Sequence, residues 1–261
     1  MRMEGYVQPM ERRELAHLAA QYWESAALNA AVQLGLFELL SSGAQATEAL
    51  AQTLGASVPH LDALLEALAA MGLVVRTGYA WGIAASLSDA LDPDSPESLL
   101  PVLAFNGDLF SLWGRLAETV RSGKPPVPDN PHLGADADRT RRFVQGMHSR
   151  GLLYADAVAE ALDLSGVERL LDVGGGPGTI AAALAGTRPD LSVSIFDLPA
   201  VVDVAAELQA GHSARKQLTF LGGNYHEDSL PGDHDGLLYA GALHQETEEA
   251  ARSLFARFAE A

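Results

Sequence analysis

The chain has 261 residues, 48% of them hydrophobic, with 34 Asp and Glu against 17 Lys and Arg, a formal charge of −17 and no cysteine. That length allows one large domain or two small ones, and the apolar fraction is ample for a core. The charge makes nucleic acid and anionic membrane surfaces poor partners, and the missing cysteine excludes disulfides and thiolate metal sites.

Met1 to Glu14 is charged and has no apolar signal core. No apolar run approaches the ~20 residues of a membrane span. A soluble cytoplasmic protein with no membrane partner is therefore expected. Residues 13–41 then show helical periodicity: Leu15, Leu18, Ala19, Tyr22, Trp23, Ala26 and Ala30 recur at three and four. Gly35 is expected to break this helix before Leu36-Phe-Glu-Leu-Leu40. Thr47 to Leu54 reads as a short helix ended by Gly55. Ser57 caps the next, with Pro59 in its first turn and Leu61, Leu64, Leu65 and Leu68 on one face. Gly72 ends it. Leu73–Val75 and Tyr79–Trp81 flank Arg76-Thr-Gly78 as a β-hairpin.

This order of elements is that of a winged helix, and DNA binding is its obvious reading. The would-be recognition helix, Ser57 to Met71, argues against it. It contains no Lys or Arg and carries Asp62 and Glu66, which phosphates would repel.

Leu91 to Pro101 is turn-rich. A helix follows, with Phe105, Leu109, Leu112, Trp113 and Leu116 on one face. Ser122-Gly-Lys-Pro-Pro-Val-Pro-Asp-Asn-Pro131 cannot be regular structure. A long helix is expected over Asp138 to Leu162, where Phe143 and Met147, four apart, project together. His148 points about 100° away from Met147. Ordinary core packing explains an apolar pair at this spacing as well as ligand contact does.

The most informative stretch is Arg169-Leu-Leu-Asp-Val-Gly-Gly-Gly-Pro-Gly-Thr-Ile180. It reads as buried parallel strand, glycine turn and helix, the first unit of a nucleotide-binding α/β sheet. A dinucleotide fingerprint needs Gly-x-Gly-x-x-Gly/Ala, and Thr179 stands where its third position falls. Asp172-x-Gly174-x-Gly176-x-Gly178 fits without a gap. An acid at the strand end repels a pyrophosphate and suits a ligand bearing a sulfonium and an ammonium, either directly or through its field. S-adenosylmethionine is such a ligand. Ser192 to Phe196 reads as the second strand, and Asp197 at its end stands where a carboxylate takes ribose hydroxyls; it also suits a helix N-cap. Ala200–Leu208 is expected to be helix, Gln217–Leu221 strand three and Asp235–Gly241 strand four.

Leu171-Asp-Val-Gly-Gly-Gly-Pro-Gly178 and Phe196-Asp-Leu-Pro-Ala-Val201 resemble the first two cofactor motifs of the S-adenosylmethionine-dependent O-methyltransferases of the caffeate/hydroxyindole type. Tyr22 to Phe37 resembles the helix that begins that family's N-terminal winged-helix domain. The resemblance implies an α/β chain. Residues 1–104 would be a winged-helix dimerisation and lid domain, 105–151 a linker with substrate-facing helices, and 152–261 a Rossmann-like class I methyltransferase domain. It implies a homodimer through the N-terminal domain, although Tyr22, Trp23, Leu36 and Phe37 could equally be core. It implies a cofactor site of Asp172, Gly174, Gly175, Gly176, Asp197 and Leu198, with Asn224 and Tyr225 near the adenine. Phe143 and Met147 would line the acceptor pocket, and the acceptor would be a small molecule with an aromatic or polyketide-like hydroxyl. His244, three residues beyond strand four, would be the general base, since imidazole titrates near neutrality. No metal is implied; His234, between two aspartates, is expected to be solvated.

The sequence departs from the family in three places. Asn224 stands where Asp is usual. The family's His-Asp-Trp triplet is His244-Gln-Glu246. Three strands that follow in the family have no counterpart before Ala261, so a fragment or a degenerate relative is expected. Strand four would then be a bare edge, with Leu254, Phe255 and Phe258 short of packing partners. Two rivals stay open: a cofactor-binding relative without methyl transfer, and a nicotinamide-dependent oxidoreductase. Thr179 and the lack of a Tyr-x-x-x-Lys pair, with Lys124 and Lys216 the only lysines, speak against the second.

Overall fold

In the computed structural model, which describes residues 10–124, 126 and 136–260, the chain divides between Pro96 and Glu97 into two units. The first opens with α1 (Arg12–Ala20), α2 (Tyr22–Gln33) and α3 (Leu36–Ser41). The long helical pattern is thus broken at Gln21 as well as at Gly35. A two-residue strand β1 (Gln45–Ala46), α4 (Thr47–Leu54) and α5 (Val58–Ala70) follow, then the hairpin β2 (Val74–Thr77) and β3 (Ala80–Ile83). β1 pairs antiparallel with β3, so the N-terminal unit is helical with a three-stranded wing. The sequence did not mark β1, whose two residues are too few for a pattern.

Leu36, Phe37, Leu50, Leu65, Leu68 and Trp81 form the buried interior of this unit. The Trp81 indole donates to the Thr47 hydroxyl, which donates to Asp62. Asp62 therefore ties α5 to the wing. Ser57 does not cap α5 with its side chain; its hydroxyl pairs with His60 Nδ1 at 2.8 Å. Leu36 and Phe37 are core, whereas Tyr22 and Trp23 are 58% and 63% exposed. The four residues that the sequence left undecided thus separate into two pairs.

The second unit begins with α6 (Leu100–Trp113) and α7 (Leu116–Ser122). The predicted helix over 138–162 is two helices, α8 (Ala137–Leu152) and α9 (Ala155–Ala161), parted at Leu153-Tyr154. α6 packs along α8. Residues 97–104 accordingly group with the second unit, and so do the helices expected to form a separate 105–151 segment. The turn-rich stretch 122–131 falls largely outside the described residues, as do Met1 to Pro9 at the start.

Four parallel strands complete the unit: β4 (Arg169–Val173), β5 (Ser192–Asp197), β6 (Leu218–Gly222) and β7 (Gly236–Leu238), in the order β6-β5-β4-β7. The helices between and after them are α10 (Thr179–Thr187), α11 (Pro199–Leu208) and α12 (Glu248–Glu260). Alternation along β4 sends Leu170 to the α10 side, with Ala181, Leu184, Val193 and Ile195. Leu171 and Val173 face the other way, with Phe196, Tyr239 and Phe258. Leu254 is buried and Phe258 packs edge-on against Tyr239 at 5.3 Å. Phe258 therefore does find partners, because the far face of β4 and β5 is apolar; Phe255, half exposed, meets the Tyr239 and Phe258 rings edge-on at 6.5 and 5.8 Å. β7 is shorter than expected, and among the described residues it pairs only with β4.

Candidate cofactor and active site

The site is assembled where the strands end. Asp172, on the α10 side of β4, is 3% exposed and its carboxyl has no hydrogen-bond partner among the described residues. Burial, and then the charge of Asp197, push it up to about 7. It lies directly beneath the glycine turn. A Cβ at Gly175 would sit 2.7 Å from Asp172 Oδ2 and 2.9 Å from Ile195 Cγ2, so glycine is required there. Gly174 and Gly176 adopt φ of 66° and 54°, also glycine territory. A Cβ at Gly176 would meet nothing within 4 Å, so the turn opens onto free space. Buried Gln209 braces the turn from below by donating to the Pro177 carbonyl at 3.0 Å.

Asp197 fastens the second strand to this turn. Its Oδ2 accepts the Gly176 N–H at 2.8 Å and its Oδ1 accepts the Leu198 N–H at 2.7 Å. Burial raises its pKa, and these two bonds hold it back. Each oxygen keeps lone pairs to spare. The Leu198 side chain packs with Val144, Val201 and Val204 between α8 and α11.

Asn224 spends its side-chain oxygen locally, accepting the His226 N–H at 3.0 Å, while its own N–H donates to Asp228. Its amide nitrogen is the end left for a ligand. The Tyr225 ring stands 3.4 Å from where a Gly174 Cβ would be, Tyr239 stands 3.7 Å away, and the two rings meet edge-on at 5.7 Å. Arg257 of α12 holds this loop through the carbonyls of Tyr225, His226 and Asp228.

His244 lies in a short 3-10 turn, Leu243–Gln245, and its side chain is exposed. Ala242, two residues earlier, comes within 3.8 Å of the Gly174 Cβ position. Strand four therefore delivers the His244 segment to the glycine turn. Phe143 packs edge-on against Phe105 at 5.6 Å and joins the Val144 cluster; Met147, one turn on, is half-buried.

Three groups at the site were not singled out from the sequence. Glu246 is buried beneath Tyr225 and Tyr239; the signal was its own oddity, an acid where the family has Trp. His148 bonds through Nδ1 to the Thr179 hydroxyl at 2.8 Å, at the start of α10. Burial, then His212, lowers its pKa, so it is neutral at pH 7. Gln209 gave no local signal. His234, expected to be solvated, is partly buried, with Nε2 on the Ser194 hydroxyl and Nδ1 on the Pro231 carbonyl.

An open glycine turn over an orphaned carboxylate, with a second carboxylate beside it, fits a cationic nucleoside rather than a pyrophosphate. Among the described residues no group of three His, Asp or Glu side chains is placed to hold a metal ion. Nor is any described helix long and apolar enough to cross a membrane.

Comparison with known proteins agrees. Residues 113–261 match the O-methyltransferase domain and residues 16–89 the O-methyltransferase dimerisation domain. The chain is 31% identical over 252 residues to the 3-hydroxy-5-methyl-1-naphthoate 3-O-methyltransferase of Streptomyces sahachiroi, covering 93% of this chain and 71% of the relative. It is 31% identical over 258 residues to the acetylserotonin O-methyltransferase of Rattus norvegicus, covering 94% of this chain and 59% of that one. The crystal structure of human N-acetylserotonin methyltransferase in complex with S-adenosylmethionine superimposes with a TM-score of 0.84 at 27% identity, over 98% of this chain and 78% of that one. A family match to more than half of the residues, a dimerisation-domain match before it and a cofactor-bound structural counterpart together mean that this chain belongs to the S-adenosylmethionine-dependent O-methyltransferases.

Proposed function

We propose that the protein methylates a hydroxyl of a small aromatic or polyketide-like molecule, with His244 as general base. The observation that carries this is the convergence of Asp172, Asp197 and the His244 segment on one glycine turn. When bound, S-adenosylmethionine supplies an electrophilic methyl group on a sulfonium.

The chain's residues do the rest. Asp172, buried under Gly175, acts through its field and favours a cation above it. The spare lone pairs of Asp197 accept ribose hydroxyls. Gly174, Gly175 and Gly176 let the ligand approach the backbone. The Asn224 amide and the Tyr225 ring border the adenine, and Leu198 backs Asp197. Phe143 and Met147 on α8 border the acceptor. The His244 imidazole takes the hydroxyl proton as the oxygen attacks. The N-terminal unit forms a homodimer through exposed Leu15, Leu18, Tyr22 and Trp23 of α1 and α2.

The test joins calorimetric binding of S-adenosylmethionine to methyl transfer onto a phenol panel that includes 3-hydroxy-5-methyl-1-naphthoate and N-acetylserotonin. His244→Ala should cost about 10²–10⁴-fold in turnover and leave cofactor affinity intact. Full turnover in that variant removes the base. Tight cofactor binding with no methyl transfer to any phenol selects a non-methylating relative.

A further inference from the structure

Glu246 occupies an unusual position. Its neighbours Leu243, His244, Gln245 and Thr247 are exposed, yet its own side chain is only 7% exposed. Two hydroxyls donate to its Oε1, that of Tyr239 at 3.2 Å and that of Tyr225 at 3.4 Å, and His226 Nε2 lies 3.3 Å from the same oxygen. They come from two places in the fold: Tyr239 directly follows strand β7, while Tyr225 and His226 lie in the loop after β6.

A buried carboxylate is costly unless donors surround it. Here burial raises both phenol pKa values, so the hydroxyls stay protonated and can donate. Such charge-assisted bonds are about twice as strong as neutral ones. The Tyr239–Glu246 bond closes a loop over residues 240–245, and His244 lies inside it. Two backbone bonds, Gln245 N–H to Ala242 and Glu246 N–H to Leu243, are the other ties within that loop. The same two tyrosines and Ala242 surround Gly174 at 3.4–3.8 Å from its Cβ position. Whatever fixes Tyr225, Tyr239 and residue 246 together also fixes where the His244 turn stands over the glycine turn.

We infer that Glu246 is a positioning residue, which clamps Tyr239 and Tyr225 and so holds the His244 turn against the cofactor turn. This rests on the reading of His244 as the base. Glu246 does not touch the reacting atoms; it acts through the loop that it closes.

The experiment uses the full chain with Glu246→Ala, Glu246→Gln, Tyr239→Phe, His244→Ala and the Glu246→Ala/His244→Ala double variant. Amide exchange at Gln245 reads the loop directly, and methyl transfer to the phenol panel reads the base. Glu246→Ala should speed Gln245 exchange about tenfold or more. It should lower kcat about 10–100-fold. Glu246→Gln should restore both readouts, because its amide oxygen accepts the same hydroxyls. On the His244→Ala background, Glu246→Ala should cost almost nothing further. Tyr239→Phe should move both readouts the same way, less far, and serves if Glu246→Ala does not fold. Equal losses on the two backgrounds would overturn the proposal and leave the base in place. If His244→Ala is silent, or no panel phenol is methylated, Gln245 exchange decides alone: acceleration supports the clamp and unchanged exchange overturns it.

Discussion

Replacing Asp172 by Asn tests the electrostatic core of the site without the cofactor. The Asp172 carboxyl is lifted from 3.8 to about 7, by burial first and by Asp197 second. At about 1.4 kcal/mol for each tenfold change in the protonation equilibrium, ionising it in the fold costs about 4 kcal/mol more than in the unfolded chain. The folded pKa is the higher one, so the contribution is fully present below about pH 4. It is lost progressively as pH rises to about 7, and above that the penalty is constant. Between pH 5 and pH 8 the apo wild type should therefore lose about 2–3 kcal/mol relative to Asp172→Asn. The amide is isosteric but adds unpaired donors, at a cost of about 1–3 kcal/mol that does not vary with pH. Comparing the change with pH, rather than the absolute stabilities, cancels that cost. Urea unfolding followed by circular dichroism at several pH values supplies the curves. Parallel curves for the two proteins would mean that Asp172 is not ionised against its surroundings, and the argument for a cation-selective turn would fail.

The same carboxyl predicts how the cofactor binds. A cation above Asp172 lowers its pKa, so binding at pH 6 should release up to one proton, and affinity should rise with pH through about 7. Calorimetry at pH 6 in buffers of different ionisation enthalpy measures the proton directly, and no buffer dependence would contradict the field effect. Gly175→Ala should weaken S-adenosylmethionine binding at least about tenfold and lower stability by about 1–3 kcal/mol, since the new Cβ collides with Asp172 and Ile195. Gly176→Ala meets no neighbour, so its stability loss should be nearer 1 kcal/mol, the cost of its left-handed backbone; thermal melts with and without cofactor separate the two. Trp23→Glu should shift sedimentation from dimer to monomer, because Trp23 is exposed; an unchanged sedimentation coefficient would place the interface elsewhere.

The sequence alone determined the elements whose information is local. The strand-turn-helix around Gly174 to Gly178 could be read because hydrophobic run, glycines and Thr179 are contiguous. The winged-helix order followed from periodicity and from Gly35, Gly55 and Gly72. The acid at the strand end was legible because charge and position sufficed to choose a cation over a phosphate. Only the tertiary structure decided what depends on packing between distant segments. It sent Phe37 to the interior and left Tyr22 and Trp23 outside, though both pairs share one apolar pattern. It found partners for Phe255 and Phe258 at Tyr239, on the far face of the sheet. It split the helix at Leu153-Tyr154, although Gly146 and Gly151 both stay inside α8 and do not by themselves locate the break. It brought His148 to Thr179, Gln209 to Pro177, and Tyr225, Tyr239 and His226 to Glu246. Those contacts join residues 7 to 32 positions apart in the chain, and a hydrogen bond between them leaves no periodicity or motif in the sequence, because only the folded sheet sets which loops meet at its end.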